Sequence, residues 1–404
     1  MSALVDLLAL PIGTIAMIAF LLAGFFAVET IVGLLPSRGS REVPSDDHPA
    51  TAVVIPAHNE EAVIGDTLRR LKSHLSSEVR VLVVADNCTD QTAELARAEG
   101  ADVIERSHPT DRGKGFALQF ALDHLKETPP EVVVFFDADC VFDPPAEGHD
   151  DIGPLRKLAD AAFRKQIPVQ ALYLMEPPED PSPKEQIAAF AWRLINKFRQ
   201  TGLDRVAGVT RLTGSGMAMP WSIADVLALG SGEIVEDLAL TVSLAKTEYA
   251  PRLLSSVVVK SQFPTDEAAA AKQHARWEHG SLRLALGQVP DLLQAAISRG
   301  RPQLAALAFD LAIPPITLFV GGLGFLYLLC GLLALTGAVW PFMFAGLAIV
   351  YVVLAIAIAW VVDGRDLLPA SSLAGIAGFL ASKTGVYGRE ARQSTRTWTR
   401  TERD

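Results

Sequence analysis

The fold is decided by one stretch, residues 132–139, which reads VVVFFDAD. Its five apolar residues are mostly β-branched or aromatic and leave no polar face, which predicts a buried central strand of a parallel sheet. Two carboxylates follow, and the two-residue period of a strand places Asp137 and Asp139 on the same face. In an open α/β sheet, this end of a strand faces the ligand crevice.

The two carboxylates suggest a metal site. Two like charges this close raise each other's pKa unless a cation lies between them. Oxygen ligands at this spacing suit Mg²⁺ or Mn²⁺ held jointly with substrate phosphates. An Asp-x-Asp sequence can equally cap a loop after a strand, so the pair alone leaves both interpretations open.

The composition indicates a soluble domain joined to a few membrane helices. Half of the 404 residues are hydrophobic and the mean hydropathy is +0.28, which is too apolar for an ordinary soluble domain and too charged for a pure membrane bundle. Cys88, Cys140 and Cys330 form no CxxC pair, so we expect a reduced compartment and no disulfides. The net charge of −10 argues against a nucleic-acid partner.

Three apolar runs have the length of membrane-spanning helices: 7–28, 311–335 and 339–362. Basic residues follow the first run and fill the tail, so the positive-inside rule predicts an external N-terminus and a cytoplasmic domain at the inner (cell) membrane. The glycine-containing segment 367–380 is expected on the membrane interface or against the soluble domain. The predicted organisation is a transmembrane anchor at 1–35, a linker at 36–50, a cytoplasmic domain at 51–300, a transmembrane helical hairpin at 301–363 and a basic cytoplasmic tail at 364–404.

Strand and helix patterns alternate from residue 51 to the central strand. Strands are predicted at 52–56, 79–85 and 103–105, and helices at 60–74, 90–98 and 115–126. This order predicts an α/β domain, a mostly parallel sheet with helices on both faces. No GxGxxG follows the first strand, which excludes a Rossmann dehydrogenase.

Later patterns are less regular. They predict a strand at 168–175, a strand at 211–219, and a helix at 184–200 whose aromatic stripe we assign to a protein core. A helix is also predicted at 234–246, with acidic residues in its first turn.

Six motifs along 51–280 occur in an informative order: PAHNE at 56–60, VADNCTD at 84–90, RGKG at 112–115, DAD at 137–139, VED at 235–237 and QHARW at 273–277. Together they resemble the family 2 glycosyltransferases. The Gln-x-x-Arg-Trp motif resembles the membrane-attached branch, which includes cellulose- and hyaluronan-synthase-like enzymes and ceramide glucosyltransferases. The resemblance implies a GT-A-type nucleotide-diphospho-sugar transferase domain with about three transmembrane helices.

The resemblance also implies roles for particular residues. Asp139, with Asp137, would bind Mg²⁺ or Mn²⁺, Asp237 would be the general base, and Glu236 would keep that site electronegative. The residues implied in nucleotide-sugar binding are Pro56, His58, Asn59, Glu60, Asp86, Lys114, Asp137, Gln273, Arg276 and Trp277.

Simpler interpretations remain for several of these residues. Asp86 could cap an Asx turn, His58 could be a loop histidine, and Lys114 could be a solvated surface lysine. Trp277 could belong to a core, and the acids at 236–237 could only complement a helix dipole.

The predicted function is an inverting, metal-dependent transfer of a sugar from a nucleotide-sugar, with UDP implied by resemblance, to a lipid or lipid-linked saccharide at the cytoplasmic membrane face. Exopolysaccharide or glycolipid synthesis would be the setting, with proteins of a polysaccharide pathway as candidate partners.

One alternative is a processive polysaccharide synthase. Segment 213–221 lacks the arginine expected of processive enzymes, and three spans are few for a polymer channel, so single transfer is favoured. The other alternative is an inactive nucleotide-binding membrane partner. A glycosidase is disfavoured because the two strand-end carboxylates are too close together.

Overall fold

The computed structural model describes residues 2–36, 48–75, 79–143, 153–230, 235–263, 267–376 and 378–379. The chain divides into two compact units. We call one the sheet unit, described at 48–75, 79–143, 153–178, 208–230, 235–263 and 267–280. The other is the helical unit, described at 2–36, 179–207, 281–376 and 378–379. Most of the predicted linker, with Arg38 and Arg41, and the basic tail from residue 380 lie outside the described residues.

The sheet unit is built on one sheet, to which the described residues contribute eight strands. These are β1 (Thr51–Ala57), β2 (Val79–Asp86), β3 (Asp102–Arg106), β4 (Val132–Phe135), β5 (Val141–Phe142), β6 (Val169–Glu176), β7 (Met217–Pro220) and β8 (Arg252–Gln262). Their order across the sheet is β3-β2-β1-β4-β7-β6-β8-β5.

The first four strands pair in parallel, as the strand–helix alternation predicts. Beyond β4 the sheet becomes mixed, because β7 runs antiparallel to both β4 and β6, and β5 runs antiparallel to β8. The predicted α/β class is therefore confirmed, and the inserted antiparallel strand β7 brings its preceding loop to the end of β4.

Helices cover both faces of the sheet. Those of the sheet unit are α2 (Ile64–Lys72), α3 (Thr92–Ala98), α4 (Lys114–Leu125), α5 (Pro154–Lys165), α8 (Trp221–Ala224) and α9 (Glu236–Lys246). The helical unit contains α1 (Ser2–Leu34), α6 (Pro183–Arg193), a π-helix (Leu194–Arg199), α7 (Gln200–Ala207), α11 (Pro302–Ala312), α12 (Ile316–Ala334) and α13 (Trp340–Asp363). The long helix α10 (Glu267–Arg299) contributes its first part to the sheet unit and the rest to the helical unit.

Alternation along the central strands divides the core between the two faces of the sheet. Val53 and Ile55 of β1 belong to the core cluster that α2 and α5 cover, whereas Ala52 and Val54 belong to the cluster under α4. All four side chains are fully buried. A strand buried on both faces must be apolar throughout, which is why 132–135 lacks a polar face.

The structure differs from the sequence-based prediction in several places. Helix α5 and the eleven-residue strand β8 had no counterpart in the prediction. The helix predicted at 184–200 belongs to the helical unit and changes to π-helix at Leu194. The predicted span 311–335 begins only at Ile316, because Pro314 and Pro315 lack backbone N–H groups and separate α11 from α12.

Three helices among the described residues are long and apolar enough to cross a membrane: Ala9–Leu34, Ile316–Ala334 and Trp340–Asp363. This confirms the predicted number of spans. Helix α1 packs along α13, and Phe20 of α1 contacts the rings of Phe344 and Tyr351 at 5.4 and 5.5 Å.

Two glycines let α1 approach the π-helix and α7 at backbone distance. A Cβ on Gly33 would lie 1.9 Å from the carbonyl oxygen of Phe198, and a Cβ on Gly202 would lie 1.9 Å from that of Glu29. Small residues at such crossings are typical of helix pairs in membranes.

A buried ionic cluster fixes the same crossing. The Arg199 guanidinium donates to Glu29 Oε2 of α1 at 3.0 Å and to Asp310 Oδ1 of α11 at 2.5 Å. All three side chains are at most 5% exposed. Charges removed from water must be paired, so this cluster ties together α1, α11 and the π-helix.

We expect Gly202→Ala to destabilise the helical unit by about 1–3 kcal/mol, because the added methyl group must push two backbones apart. Thermal unfolding of the detergent-purified chain measures this loss. Gly322→Ala in α12 is the matched control, since the space that its methyl group would take is open to a distance of 4 Å. Equal melting temperatures for the two variants would contradict the close crossing.

Candidate active site

The two carboxylates of 137–139 lie in the turn after β4, which ends at Phe135. Strand alternation therefore does not set their directions. Nevertheless, ligand atoms of Asp137, Asp139 and Cys140 all lie within 4.8 Å of one another. The Asp137 backbone N–H donates to Ser215 Oγ at 3.0 Å, which fixes where the turn begins.

This group fits a hard divalent cation through its oxygen atoms. Burial raises the pKa of the Cys140 thiol well above its usual value, and the charges of Asp139 and Asp137 raise it further. The thiol therefore stays protonated and is a poor ligand. The two carboxylates remain, which are the ligand type that Mg²⁺ and Mn²⁺ prefer.

Lys114 begins α4 and lies between two glycines that its position requires. Gly113 has φ +123°, a conformation that favours glycine, and a Cβ on Gly115 would lie 2.4 Å from the carbonyl oxygen of Leu229. The Lys114 ammonium donates to Asp137 Oδ1 and, at 2.7 Å, to the Gly214 carbonyl oxygen.

Glu236 and Asp237 form the first turn of α9 and complete an acid cluster around Lys114. Burial raises the pKa of Asp237, and the charge of Lys114 opposes that rise. Burial, and then the charge of Asp237, raise the pKa of Glu236 to about 7. The pKa of Lys114 is itself raised, because Asp137, Glu236 and Asp237 outweigh the lowering effect of burial.

Gly214 lies between the ammonium and the carboxylate of Asp237. A Cβ there would stand 3.1 Å from Lys114 Nζ and 3.5 Å from Asp237 Oδ2. The structure therefore brings together four predicted site residues, Lys114, Asp137, Glu236 and Asp237, and Asp139 follows in the same turn.

Asp86 lies at the carboxyl end of β2 and is 5% exposed. Its Oδ1 accepts from Arg106 Nη1 at 2.7 Å and from Asn87 Nδ2 at 2.9 Å. Arg106 in turn lies over the ring of Phe116, 5.5 Å from its centroid. The pair combines an acceptor and a donor, the two functions needed to bind the edge of a nucleobase.

The turns after β1 and β2 are joined by side-chain hydrogen bonds. His58 Nδ1 lies 2.6 Å from the Asp86 carbonyl oxygen, and Asn59 Oδ1 accepts from the Thr89 N–H at 2.7 Å. The Glu60 N–H donates to Thr92 Oγ1 at 2.8 Å. Pro56 lies within β1 opposite Val84. These contacts hold residues 58–60, which follow β1, beside Asp86.

The Gln-x-x-Arg-Trp motif lies in the first part of α10. Gln273 is buried, Arg276 and Trp277 are half-buried, and the rings of Trp277 and His274 meet edge to face at 5.9 Å. The placement of these residues against a bound sugar stays a prediction.

Sequence reasoning missed Ser215 and Arg106. The predicted third strand stopped at Glu105, although Arg106 pairs in register with Asp86 and follows from the parallel alignment of β2 and β3. Ser215 could not be placed beside Asp137, because only the antiparallel pairing of β7 with β4 brings it there.

A family model described as glycosyl transferase family 2 matches residues 52–147, and one described as glycosyl transferase family group 2 matches residues 155–362. The second match alone spans more than half of the chain. The chain belongs to the family 2 glycosyltransferases. Together with the α/β sheet, this membership assigns the sheet unit of the glycosyltransferase to the GT-A class.

Curated relatives match the glycosyltransferase over short regions. An uncharacterised protein, MJ1222, of Methanocaldococcus jannaschii is 40% identical over 22% of this chain and 34% of its own. The low-salt glycan biosynthesis hexosyltransferase Agl6 of Haloferax volcanii is 35% identical over 24% of this chain and 23% of its own. The 4,4'-diaponeurosporenoate glycosyltransferase of Staphylococcus aureus is 35% identical over 24% and 25%. The matched region thus covers about a third or less of each relative.

Solved structures with a related shape include a mannosyltransferase, PcManGT, of Pyrobaculum calidifontis in complex with GDP-Man and Mn²⁺. It is 16% identical, with a TM-score of 0.49, over 97% of this glycosyltransferase and 94% of that chain. A glucosyl-3-phosphoglycerate synthase of Mycobacterium tuberculosis in complex with Mn²⁺, UDP-glucose and phosphoglyceric acid is 22% identical, with a TM-score of 0.38, over 60% and 86%.

The raised pKa of Glu236 predicts a pH-dependent stability of the glycosyltransferase. In the unfolded chain this carboxyl ionises near its usual 4.5, whereas in the folded chain it ionises near 7. The unfolded chain therefore loses this proton first, so the free energy of unfolding falls by about 3 kcal/mol as the pH rises through this window.

Glu236→Gln removes this ionisation, so the variant should lose less stability than the wild type between pH 4.5 and 7. Melting temperatures of both proteins at pH 4.5, 6 and 7.5 measure the difference. Parallel curves would contradict the raised pKa.

Proposed function

We propose that this glycosyltransferase moves a sugar from a nucleoside-diphosphate sugar, with a UDP-sugar as donor, to a lipid or lipid-linked saccharide at the cytoplasmic face of the cell membrane. The observation that carries this proposal is the acid cluster. One ammonium group, Lys114, pairs with Asp137 of the 137–139 turn, and the charges of the acids at the start of α9 act on it. The diphosphate of the donor needs positive charge, which Lys114 would supply. The attacking hydroxyl group needs a base, which an acid at the start of α9 would supply.

The proposed reaction is a single displacement. Asp237 takes the proton of the acceptor hydroxyl group. The hydroxyl oxygen of the acceptor bonds to the anomeric carbon as the bond from that carbon to the diphosphate breaks. The nucleoside diphosphate leaves with the bonding electrons, and the configuration at the anomeric carbon inverts. The raised pKa of Asp237 makes it a stronger base than an exposed carboxylate.

The other residues bind and orient the donor. Asp139 and Asp137 would hold Mg²⁺ or Mn²⁺, and the ion would neutralise charge on the leaving diphosphate. Lys114 would turn towards a donor phosphate, and Asp86 with Arg106 would bind the edge of the base. Glu236 would keep the acceptor site electronegative. Gln273, Arg276 and Trp277 would bind the phosphates and the sugar.

A membrane acceptor is supported by the three helices of spanning length. A lipid or lipid-linked acceptor would be held in the same membrane in which the enzyme is anchored. Exopolysaccharide or glycolipid synthesis is the proposed setting.

Nucleoside diphosphate release by the full chain in detergent tests the proposal. The assay uses a panel of UDP- and GDP-sugars, Mg²⁺ or Mn²⁺, and a membrane lipid extract. Asp139→Asn and Asp237→Asn should each lower release at least about 100-fold, and EDTA should abolish it. Asp123→Asn is the control, because this exposed carboxylate on α4 contacts Lys126 and Gln119 at the surface.

Three outcomes would contradict the proposal or replace it. Release that survives Asp237→Asn would exclude that residue as the base. Labelled product of polymeric length would favour a processive synthase. Nucleotide binding without release from any donor would favour an inactive membrane partner.

Lys114→Met tests the phosphate contact. Losing a charged hydrogen bond to the diphosphate should raise the KM for the nucleotide-sugar about tenfold or more. Lys126→Met is the control, since Lys126 lies at the other end of α4 and pairs with Asp123. A donor KM equal in the two variants would place the Lys114 ammonium away from the donor.

A further inference from the structure

The segment Thr213–Gly216, which precedes β7, carries two contacts of the acid cluster. We call it the Gly-Ser loop. The Gly214 carbonyl oxygen accepts from Lys114 Nζ at 2.7 Å, and Ser215 Oγ accepts from the Asp137 N–H at 3.0 Å. The loop therefore fixes both ends of the Lys114–Asp137 pair.

The two glycines of the Gly-Ser loop leave its backbone with little conformational restriction. Gly214 has φ +85° and Gly216 has φ +68°, and glycine is the residue least restricted to one conformation. Ordering two such residues costs conformational entropy that contacts outside the loop must offset.

Gln170 of β6 makes those contacts on both sides of Gly214. Its Oε1 accepts from the Thr213 N–H at 2.9 Å, and its Nε2 donates to the Ser215 carbonyl oxygen at 2.8 Å. The same Nε2 lies 2.8 Å from the Ala171 carbonyl oxygen. The side chain is fully buried. A buried amide satisfied in this way holds its partners rigidly, because breaking any one bond leaves a polar group without solvent.

Apart from the contacts with Lys114 and Asp137, further hydrogen bonds hold the two ends of the loop. The Leu212 N–H donates to Thr241 Oγ1, which donates to the Asp237 carbonyl oxygen at 2.9 Å. The Gly216 N–H donates to the Phe135 carbonyl oxygen. Gln170 is thus the side chain that bridges from Thr213 to Ser215 across the residue that contacts Lys114.

We propose that Gln170 is a positioning residue for the transfer reaction, which holds the Gly-Ser loop so that Gly214 and Ser215 keep Lys114 and Asp137 in their places. This inference rests on the proposed function. Gln170 itself touches neither donor nor acceptor. Its loss should therefore lower the rate of transfer and leave nucleotide binding at Asp86 in place.

The test compares Gln170→Met with Thr51→Val in the full chain. Methionine keeps the approximate volume of glutamine and removes all four of its side-chain hydrogen bonds, including the longer one from Nε2 to the Gly216 carbonyl oxygen at 3.4 Å. Thr51 is the matched control: it is buried at the amino end of β1, the opposite end of the sheet, where its hydroxyl donates to the Pro49 carbonyl oxygen at 2.8 Å. If the methionine variant does not fold, Gln170→Glu replaces it, since it keeps the acceptor for Thr213 and loses the donor to Ser215.

Two readouts are measured, and one does not need activity. Gln170→Met should lower kcat for nucleoside diphosphate release about 100-fold, because the reacting groups are misplaced. It should also raise the donor KM by no more than Lys114→Met does, because Lys114 is displaced but still present. Hydrogen exchange of the loop peptide should become at least about tenfold faster, while Thr51→Val leaves both readouts as in the wild type.

The outcomes separate this inference from the proposed function. Unchanged loop exchange in Gln170→Met, or a kcat equal to that of Thr51→Val, overturns the positioning role. If the wild type releases no nucleoside diphosphate, the proposed function fails. In that case exchange still decides whether Gln170 holds the loop: faster exchange confined to the loop supports it, and unchanged exchange overturns it.

Discussion

One ammonium group lies among several acidic side chains, paired with Asp137 and within the electrostatic influence of Glu236 and Asp237. Asp137, Glu236 and Asp237 arrive from distant parts of the chain, and their charges would repel one another in a partly buried place. The positive charge of Lys114 offsets that repulsion. The negative charges around Lys114 raise its pKa. This ammonium group is surrounded by three parts of the sheet unit. They are the glycines around Lys114, the turn after β4 and the start of α9.

The sheet topology explains how distant segments meet at this point. A wholly parallel sheet would place only strand ends and their following loops at the crevice. Inserting β7 antiparallel to β4 brings the loop before β7 to the same edge as the turn after β4. The sheet unit thereby gains the Ser215 hydroxyl group beside Asp137 and the Gly214 carbonyl group beside Lys114.

Much of the fold and the chemistry could be predicted from sequence, because apolar strands and short polar motifs are local patterns. The three spans and the parallel half of the sheet follow from such patterns. The contact of Lys114 with Asp137 does not, because the sequence suggested only a phosphate contact or a surface position for this lysine. The contacts of Gln170 depend on the register of β6, β7 and β8, which no local pattern specifies. A glutamine within an apolar strand was still a signal, since a buried amide must find partners. Likewise, the aromatic stripe of α6 was rightly assigned to a core, but that core belongs to the apolar helices.

The cluster of Glu29, Arg199 and Asp310 has a consequence for how the protein is made. Glu29 precedes Arg199 by 170 residues, and Asp310 follows another 111 residues later. At ribosomal rates of about 5–20 residues per second, Arg199 is synthesised roughly 10–30 s after Glu29. The ion pair of α1 with Arg199 can therefore form only after the π-helix has been synthesised, and the contact with Asp310 only later still. Packing of α1 in the helical unit is therefore completed only after the central part of the chain has been synthesised.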